Sequence, residues 1–443
     1  MVMSTEGPIT TALVLVLAAI LLLWPAFWNG YPLVFADSGT YLSQAIERYA
    51  GWDRPIFYSL FLFPLHLTLT TWPAILVQAL LVAYLVHLLR RTLLPGTSVW
   101  WLLPIAGALA TASPLPWFAS QLMPDVFTGI VVVGLALLSF AADRLSARER
   151  IWLVLLTAFA ITVHLSHVLI AMALLVVLLP LRRSWRPVAR CVAPLILAIL
   201  ALMSVNLAAF GRASLAPFGN VFLLTRVIYD GPGMDVLRRD CPGSGWRLCP
   251  FIERMPPHWD DFLWRADGPV ISAGGAKLVS SDARAIVTAA LIAEPGTELL
   301  AVARNTGKQL IGFSTGDGLQ PWPETVAPCV ARHFPRFENV AFAASRQSTD
   351  RLRVPRSLQM LHLAISVAGI AGCCAVLFVA PRRHLATGLV AAVLVALLAN
   401  AAITGGLSGP HDRYQSRIMW LPPVVAILGI ASLRRGAMLA FSQ

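Results

Sequence analysis

Ten stretches of this chain stay apolar for about the length that a helix needs to cross a lipid bilayer: 9–28, 73–89, 99–119, 126–142, 151–167, 168–181, 191–210, 358–380, 385–407 and 417–433. A crossing takes roughly 20 apolar residues in helical form, because hydrocarbon offers no partner to a backbone N–H or C=O. Such runs predict an all-α polytopic membrane protein with about ten transmembrane helices. Only 13% of the residues are charged, half of the roughly 25% usual in soluble domains.

The net charge of +12 would suggest nucleic acid in a soluble protein, but its placement argues otherwise. The basic residues form short clusters between apolar runs: Arg90-Arg91, Arg144/Arg148/Arg150, Arg182-Arg183 with Arg186 and Arg190, Arg382-Arg383, and Arg434-Arg435. Lys and Arg near span ends stay on the cytoplasmic side. With both termini cytoplasmic, every cluster falls inside and the long 211–356 segment falls outside, where 17 basic residues nearly balance 14 acidic ones. The charge is topological, and no nucleic acid is expected as a partner. The same rule makes 56–70 a short interfacial helix between Pro55 and Pro73, since a crossing there would move all later clusters to the other side. The first run lacks a basic leader and is followed by Trp24 and Trp28, so it reads as a retained span rather than a signal peptide.

Three blocks follow: an N-terminal module 1–210 with seven spans and a first outer loop 29–72, an extracytoplasmic domain 211–356, and a C-terminal module 357–443 with three spans. The location expected is a bacterial inner (plasma) membrane. In the outer domain, 211–275 reads as loops and short elements with PG and GP turns. Residues 281–313 read as two amphipathic helices broken near Glu294-Pro295-Gly296, the first capped by Ser281. Residues 316–356 read as irregular. Cys241 and Cys249 flank a turn-rich stretch and suit a local disulfide in an oxidising compartment, with Cys329 left over. Cys191, Cys373 and Cys374 lie in spans. The chain has no CxxC pair, so no zinc site is expected.

Polar residues gather at the outer ends of the spans. Asp37 opens a helix expected over 38–50, either as its cap or as a carboxylate placed to take a proton from an acceptor. Asp125 follows Pro124 at the outer start of a span, with the same two readings. His164 and His167 lie one helical turn apart at another outer end, either bonded in the interface or available to a phosphate, a metal or a proton. The last outer loop carries His411, Asp412, Arg413, Tyr414 and Arg417. A guanidinium fork suits phosphate, whether on a substrate or on lipid headgroups. No GxSxG, HExxH or Walker A sequence competes, and Lys277 and Lys308 are the only lysines.

Over roughly residues 10–145 the order of features resembles the GT-C superfamily of membrane glycosyltransferases, which use polyprenyl-phosphate-linked sugars at the outer membrane face. The matching residues are Asp37, Ser38 and Tyr41, then Arg54, Pro55 and Tyr58, then Gln78-Ala-Leu-Leu81 and Arg90-Arg91. The resemblance implies a GT-C-like fold and an inverting transferase. Asp37 would be the catalytic carboxylate, and Ser38 stands where glutamate is common. Asp125 occupies the position of an acidic residue at the fourth span, and together the two carboxylates could orient an acceptor or bind a divalent cation, Mg or Mn. Arg413 and Tyr414 match a pair near the lipid phosphate; Arg54, His164 and His411 would assist in holding that phosphate. Tyr41 and Tyr58 would position the acceptor or the loop. The partners implied are a lipid-linked sugar donor, membrane lipid, and a glycan, lipid or protein acceptor, with no nucleotide cofactor.

Two other classes stay open. A polysaccharide polymerase or ligase would keep its essential residues in 211–356. A lipid-linked glycan transporter or flippase would show inverted repeats and mid-membrane charge, and the spans carry almost none. The topology is testable: a cysteine at position 95 is expected to be shielded from an impermeant thiol reagent added outside, and one at position 270 to be labelled.

Overall fold

The protein, described by a computed structural model, is defined over residues 6–178, 185–382 and 384–441. The basic pair Arg182-Arg183 and the second residue of Arg382-Arg383 lie outside the described residues. Each of the ten apolar runs is helical within that range. Five helices are long and apolar enough to cross a membrane: Trp72–Leu93, Trp185–Phe210, Arg356–Val379, Leu385–Leu407 and Asp412–Gly436. The other runs give shorter or interrupted helices, among them Pro8–Leu22, Val126–Phe140 and Leu165–Val177. Length and composition thus support five crossings, or six if one bent helix pair counts as a broken span.

The physical cause of several interruptions is visible in the sequence. Pro25 lies in the first turn of a second short helix after Leu23, and Pro114 separates Leu102–Ala112 from Leu115–Ala119, whose first turn holds Pro116. Proline removes a donor and crowds the preceding turn. The run 151–181 breaks at Val163-His164, so Ala147–Thr162 is followed almost at once by Leu165–Leu178.

Helix Val126–Phe140 is the centre of the bundle. Every residue from Val126 to Ser139 is buried, as expected of a helix that is apolar all round. It packs against Ala147–Thr162, Leu385–Leu407, Trp185–Phe210, Leu165–Leu178 and Trp72–Leu93. Close approach depends on glycine at two points. A Cβ on Gly129 would meet the Trp420 indole, and one on Gly134 would lie 2.1 Å from the Thr157 hydroxyl.

One end of the bundle brings together basic residues of three clusters. Arg91 pairs with Glu149 at 2.7 Å, Arg190 with Asp143 at 3.8 Å, and Arg144 donates to the Thr92 carbonyl. The opposite end carries the first loop and the 211–356 segment. That segment is more regular than its sequence suggests. Helices Asn220–Asp230, Gly233–Ser244 and Ala276–Ala293 enclose a separate apolar core with Val221, Leu237, Phe262 and Ile286. Residues 316–356 include helices Ala327–His333 and Arg336–Ala344. Cys241 and Cys249 form a disulfide, with Cα atoms 5.4 Å apart, and Cys329 is a free thiol.

The two helices expected over 281–313 meet at Glu294-Pro295 and bend there by 102°. The first starts earlier than its sequence suggested, however. Gly274 and Gly275, at φ +98° and +85°, turn the chain ahead of Ala276, so Ser281 is interior and not the cap. Residues 56–70 give one helix, Phe57–His66, ended by Leu67 and Thr68 in the left-handed region. Val270 is fully buried, so Ala266, which is exposed, is the better labelling site for the topology test.

The first loop is stitched between two distant segments. Leu33 forms an isolated parallel bridge with Gln121, its N–H donating to the Ser120 carbonyl at 2.9 Å and its carbonyl accepting from Leu122 at 2.8 Å. From the other side, the Gln347 side chain accepts from the Val34 N–H at 3.0 Å and donates to the Val34 carbonyl at 2.7 Å. Gly39 lies so close to Thr325 that a Cβ would sit 2.0 Å from its carbonyl oxygen. Gly39→Ala is therefore expected to cost about 1–3 kcal/mol and to lower the thermal midpoint in detergent. Gly107→Ala, where nothing lies within 4 Å, is expected to leave it unchanged or raise it.

Candidate functional site

Asp37 occupies the residue just before helix Ser38–Glu47, but its side chain makes no capping hydrogen bond. It pairs with Arg54, which also pairs with Asp53. Burial alone would lower the Arg54 pKa, yet Asp37 and Tyr41 together raise the guanidinium above its ordinary value. Ser38 is a tether: its hydroxyl accepts from the Phe35 N–H and donates to the Leu122 carbonyl, both at 2.9 Å.

Tyr41 lies one turn beyond Asp37. Burial, with Asp37 and Asp125 nearby, pushes its phenol well above the usual range, so it is a neutral hydroxyl. Its ring meets Tyr58 edge to face at 5.0 Å. Tyr58 is fully buried and donates to Gln78 Oε1. Gln78 in turn donates to the Gln121 and Ala119 carbonyls at 3.0 and 3.3 Å. Tyr58 therefore anchors the loop to helix Trp72–Leu93 and cannot itself reach an acceptor.

Asp125 repeats the pattern at the head of the central helix. It is 1% exposed and makes no capping bond. Arg417 Nη1 lies 3.1 Å from Oδ1, and Arg413 Nη1 lies 3.9 Å from Oδ2. Arg417 also donates to Asn400 Oδ1 at 2.9 Å. The Arg413 guanidinium sits 3.8 Å from the Phe35 ring centroid and 5.1 Å from that of Tyr414. Its Nη1 is buried with no hydrogen-bond partner. Two groups of opposite bias result. Arg54 with Asp37 and Asp53 holds one surplus negative charge, whereas Arg413 and Arg417 with Asp125 hold one surplus positive charge.

Between the two groups lies a cavity of about 530 Å³. Its polar end is formed by Asp37, Tyr41, Arg54, His164, Arg413 and Tyr414. These come from the first loop, the break at 163–164 and the last loop. The rest of the wall is largely apolar: Leu165 and Leu169 from one helix, Ile403 and Leu407 from another, Phe222 and Leu223 from the 211–356 segment. Leu169 and Leu407 are 37% and 41% exposed, so the apolar wall runs out to the flank of the bundle. A polar head opening onto an apolar slot fits an amphipathic ligand.

Five expected site residues fall elsewhere. Asp125 lies beneath the cavity, holding the two arginines rather than facing a ligand. Tyr58 is in the core. His411 is not in the wall; its backbone is bonded to the Gln309 side chain, and its ring packs on Trp259 at 5.2 Å. The disulfide lies away from the cavity wall. His167, considered with His164 from the sequence, has both ring nitrogens occupied, by the Ala160 carbonyl at 2.6 Å and the Thr128 hydroxyl at 2.8 Å.

Sequence reasoning missed Asp53, Phe222, Ser166 and Asn400. Asn400 carried a signal, since an amide inside an apolar run is costly unless bonded. Among the described residues no three His, Cys, Asp or Glu side chains gather where a metal ion could be held. The carboxylates at the site are already engaged by arginine, so the donor set does not fit Mg or Mn.

Asp125→Asn would leave two buried guanidiniums without a countercharge. The expected cost is about 3–5 kcal/mol, read as a lower thermal midpoint in detergent. Adding Arg413→Gln to that variant is expected to recover part of the loss, which a double-mutant cycle measures. Compared with known protein families, with curated proteins and with solved structures, the chain matches none.

Proposed function

We propose that this protein is a membrane glycosyltransferase of GT-C type, moving a sugar from a polyprenyl-phosphate carrier to an acceptor at the outer face. In this reading the ten apolar runs make ten crossings. The observation that carries the proposal is the single cavity that unites Asp37, Arg54, His164, Arg413 and Tyr414 at the head of an apolar slot.

The chemistry follows from the charge separation. The prenyl chain lies along Leu165, Leu169, Ile403 and Leu407, and its phosphate meets Arg413, whose side of the cavity carries the surplus positive charge that favours an anion. The acceptor hydroxyl attacks the anomeric carbon as the bond from that carbon to the phosphate oxygen breaks. The bonding electrons leave with the phosphate. Asp37 takes the acceptor proton, and its pairing with Arg54 holds it in place. Arg413 stabilises charge that develops on the leaving oxygen, a role preorganised by Asp125 beneath it. A single displacement inverts the anomeric centre. The outer domain contributes Phe222 and Leu223 to the wall, and so shapes the acceptor side.

The test compares lipid-linked and surface glycans in cells expressing wild type, a deletion or Asp37→Asn at matched protein levels. Wild type alone is expected to add one glycosyl unit, with carrier-linked sugar accumulating in the other two. Loss of the carboxylate is expected to slow transfer about 100-fold or more. If Asp37→Asn behaves as wild type, Asp37 is not the catalytic carboxylate, and the polymerase or ligase, transport and scaffold readings come forward.

A further inference from the structure

The break between helices Ala147–Thr162 and Leu165–Leu178 carries a chain of hydrogen bonds that the scheme above leaves unused. Arg417 Nη1 donates to Asp125 Oδ1 at 3.1 Å, and Arg417 Nη2 donates to Ser166 Oγ at 3.1 Å. Ser166 Oγ lies 2.8 Å from His164 Nδ1, and the Ser166 backbone N–H lies 3.2 Å from the same nitrogen.

The directions of these bonds are fixed by what each group can do. A guanidinium has donors only, so Ser166 Oγ accepts from Arg417. The one hydroxyl proton is then free to go to His164 Nδ1. The backbone N–H can only donate, and it aims at Nδ1 as well. A ring nitrogen that accepts two hydrogen bonds carries no proton, which puts the proton of the neutral ring on Nε2. Protonating Nδ1 would set its N–H against the Ser166 N–H and add charge beside Arg417. His167 is the opposite tautomer, since Nδ1 faces the Ala160 carbonyl. Of the two, only His164 lines the cavity, and its Nε2 has no hydrogen-bond partner among the described residues.

We infer that Arg417 and Ser166 are positioning residues that lock His164 as an Nε2–H donor, and that His164 binds an anionic oxygen in the cavity. In this state Nε2 has no lone pair to take a proton or to ligate a metal. The lock stands on the hydrogen bonds alone; the identity of the anion as a prenyl phosphate rests on the transferase reading.

The experiment uses the full chain in nanodiscs, labelled with ¹⁵N-histidine, with His164 signals assigned by their loss in His164→Gln. Nδ1 is expected in the unprotonated range and Nε2 in the protonated range. Ser166→Ala is expected to give a mixture of tautomers and Ser166→Thr to restore one. Protonated Nδ1 in wild type, or an unchanged spectrum in Ser166→Ala, would overturn the lock. Farnesyl phosphate is then titrated in, with inorganic phosphate as the second probe. Movement of the Nε2 signal with Nδ1 fixed is expected, at lower concentration for the lipid if the slot contributes. No movement with either probe overturns the anion role, whether or not sugar transfer is ever observed. Where transfer is measured, His164→Gln keeps a donor near the Nε2 position and is expected to lose less than about tenfold. His164→Asn places its amide near Nδ1 instead and is expected to lose about 100-fold; the reverse order would assign the function to the wrong nitrogen.

Discussion

One carboxylate, Asp125, holds the functional end of this molecule in register. It sits at the head of the central helix, with the guanidiniums of both Arg413 and Arg417 against it. Removing water from three charged groups is costly, and truncating one member of such a set leaves the others uncompensated. The last loop is therefore tied to the central helix by more than packing. From Arg417 the constraint passes to Asn400, which donates to the Tyr414 carbonyl and to Gln415. Segments near 125, 166, 400 and 415 thus share one polar network at a depth where an unbonded group would be expensive.

The first loop is held by a different device. Glu338, 2% exposed, accepts from both the N–H and the hydroxyl of Thr71, at 2.9 and 2.8 Å. It thereby brings a carboxylate to the N-terminus of helix Trp72–Leu93, where the helix dipole favours it. His333 reaches Glu47 at 2.8 Å, and Gln347 treats Val34 as a neighbouring strand would. The segment 316–356, which looks irregular in sequence, is the clamp that positions the carboxylate.

What could be read from the sequence divides along the range of the interactions involved. Apolar runs gave helices because backbone satisfaction in an apolar setting is a local requirement. Asp37, Arg54, His164, Arg413 and Tyr414 could be chosen in advance, since each is a polar group at a span end, and they line one cavity. The role of Asp125 could not be chosen, because it depends on pairing with residues almost 300 positions away. Tyr58 was misleading for a related reason. A tyrosine next to an Arg-Pro pair reads as a ligand contact until Gln78, 20 residues on, is seen to take its hydroxyl. The interruptions at Pro114 and His164 were equally hard to weigh, since a proline or histidine in an apolar run can be absorbed, kinked or turned.

The distribution of charge across the cavity gives the site its direction. Three arginines and three aspartates surround it or lie beneath it, so the set is neutral as a whole and folding leaves no net charge to bury. The neutrality is divided unevenly, with the negative surplus at Asp37 and the positive surplus at Arg413. A ligand whose anionic group turned toward Asp37 would meet repulsion there. In the proposed transfer the other orientation brings it to Arg413 and the Nε2–H of His164 and leaves Asp37 to the acceptor. Because Asp125 compensates only one of two guanidiniums, the positive side stays attractive to an anion without being quenched from within. Substituting a second acid beneath the cavity would satisfy the arginines more fully and stabilise the fold, but it would remove the attraction that orients the ligand.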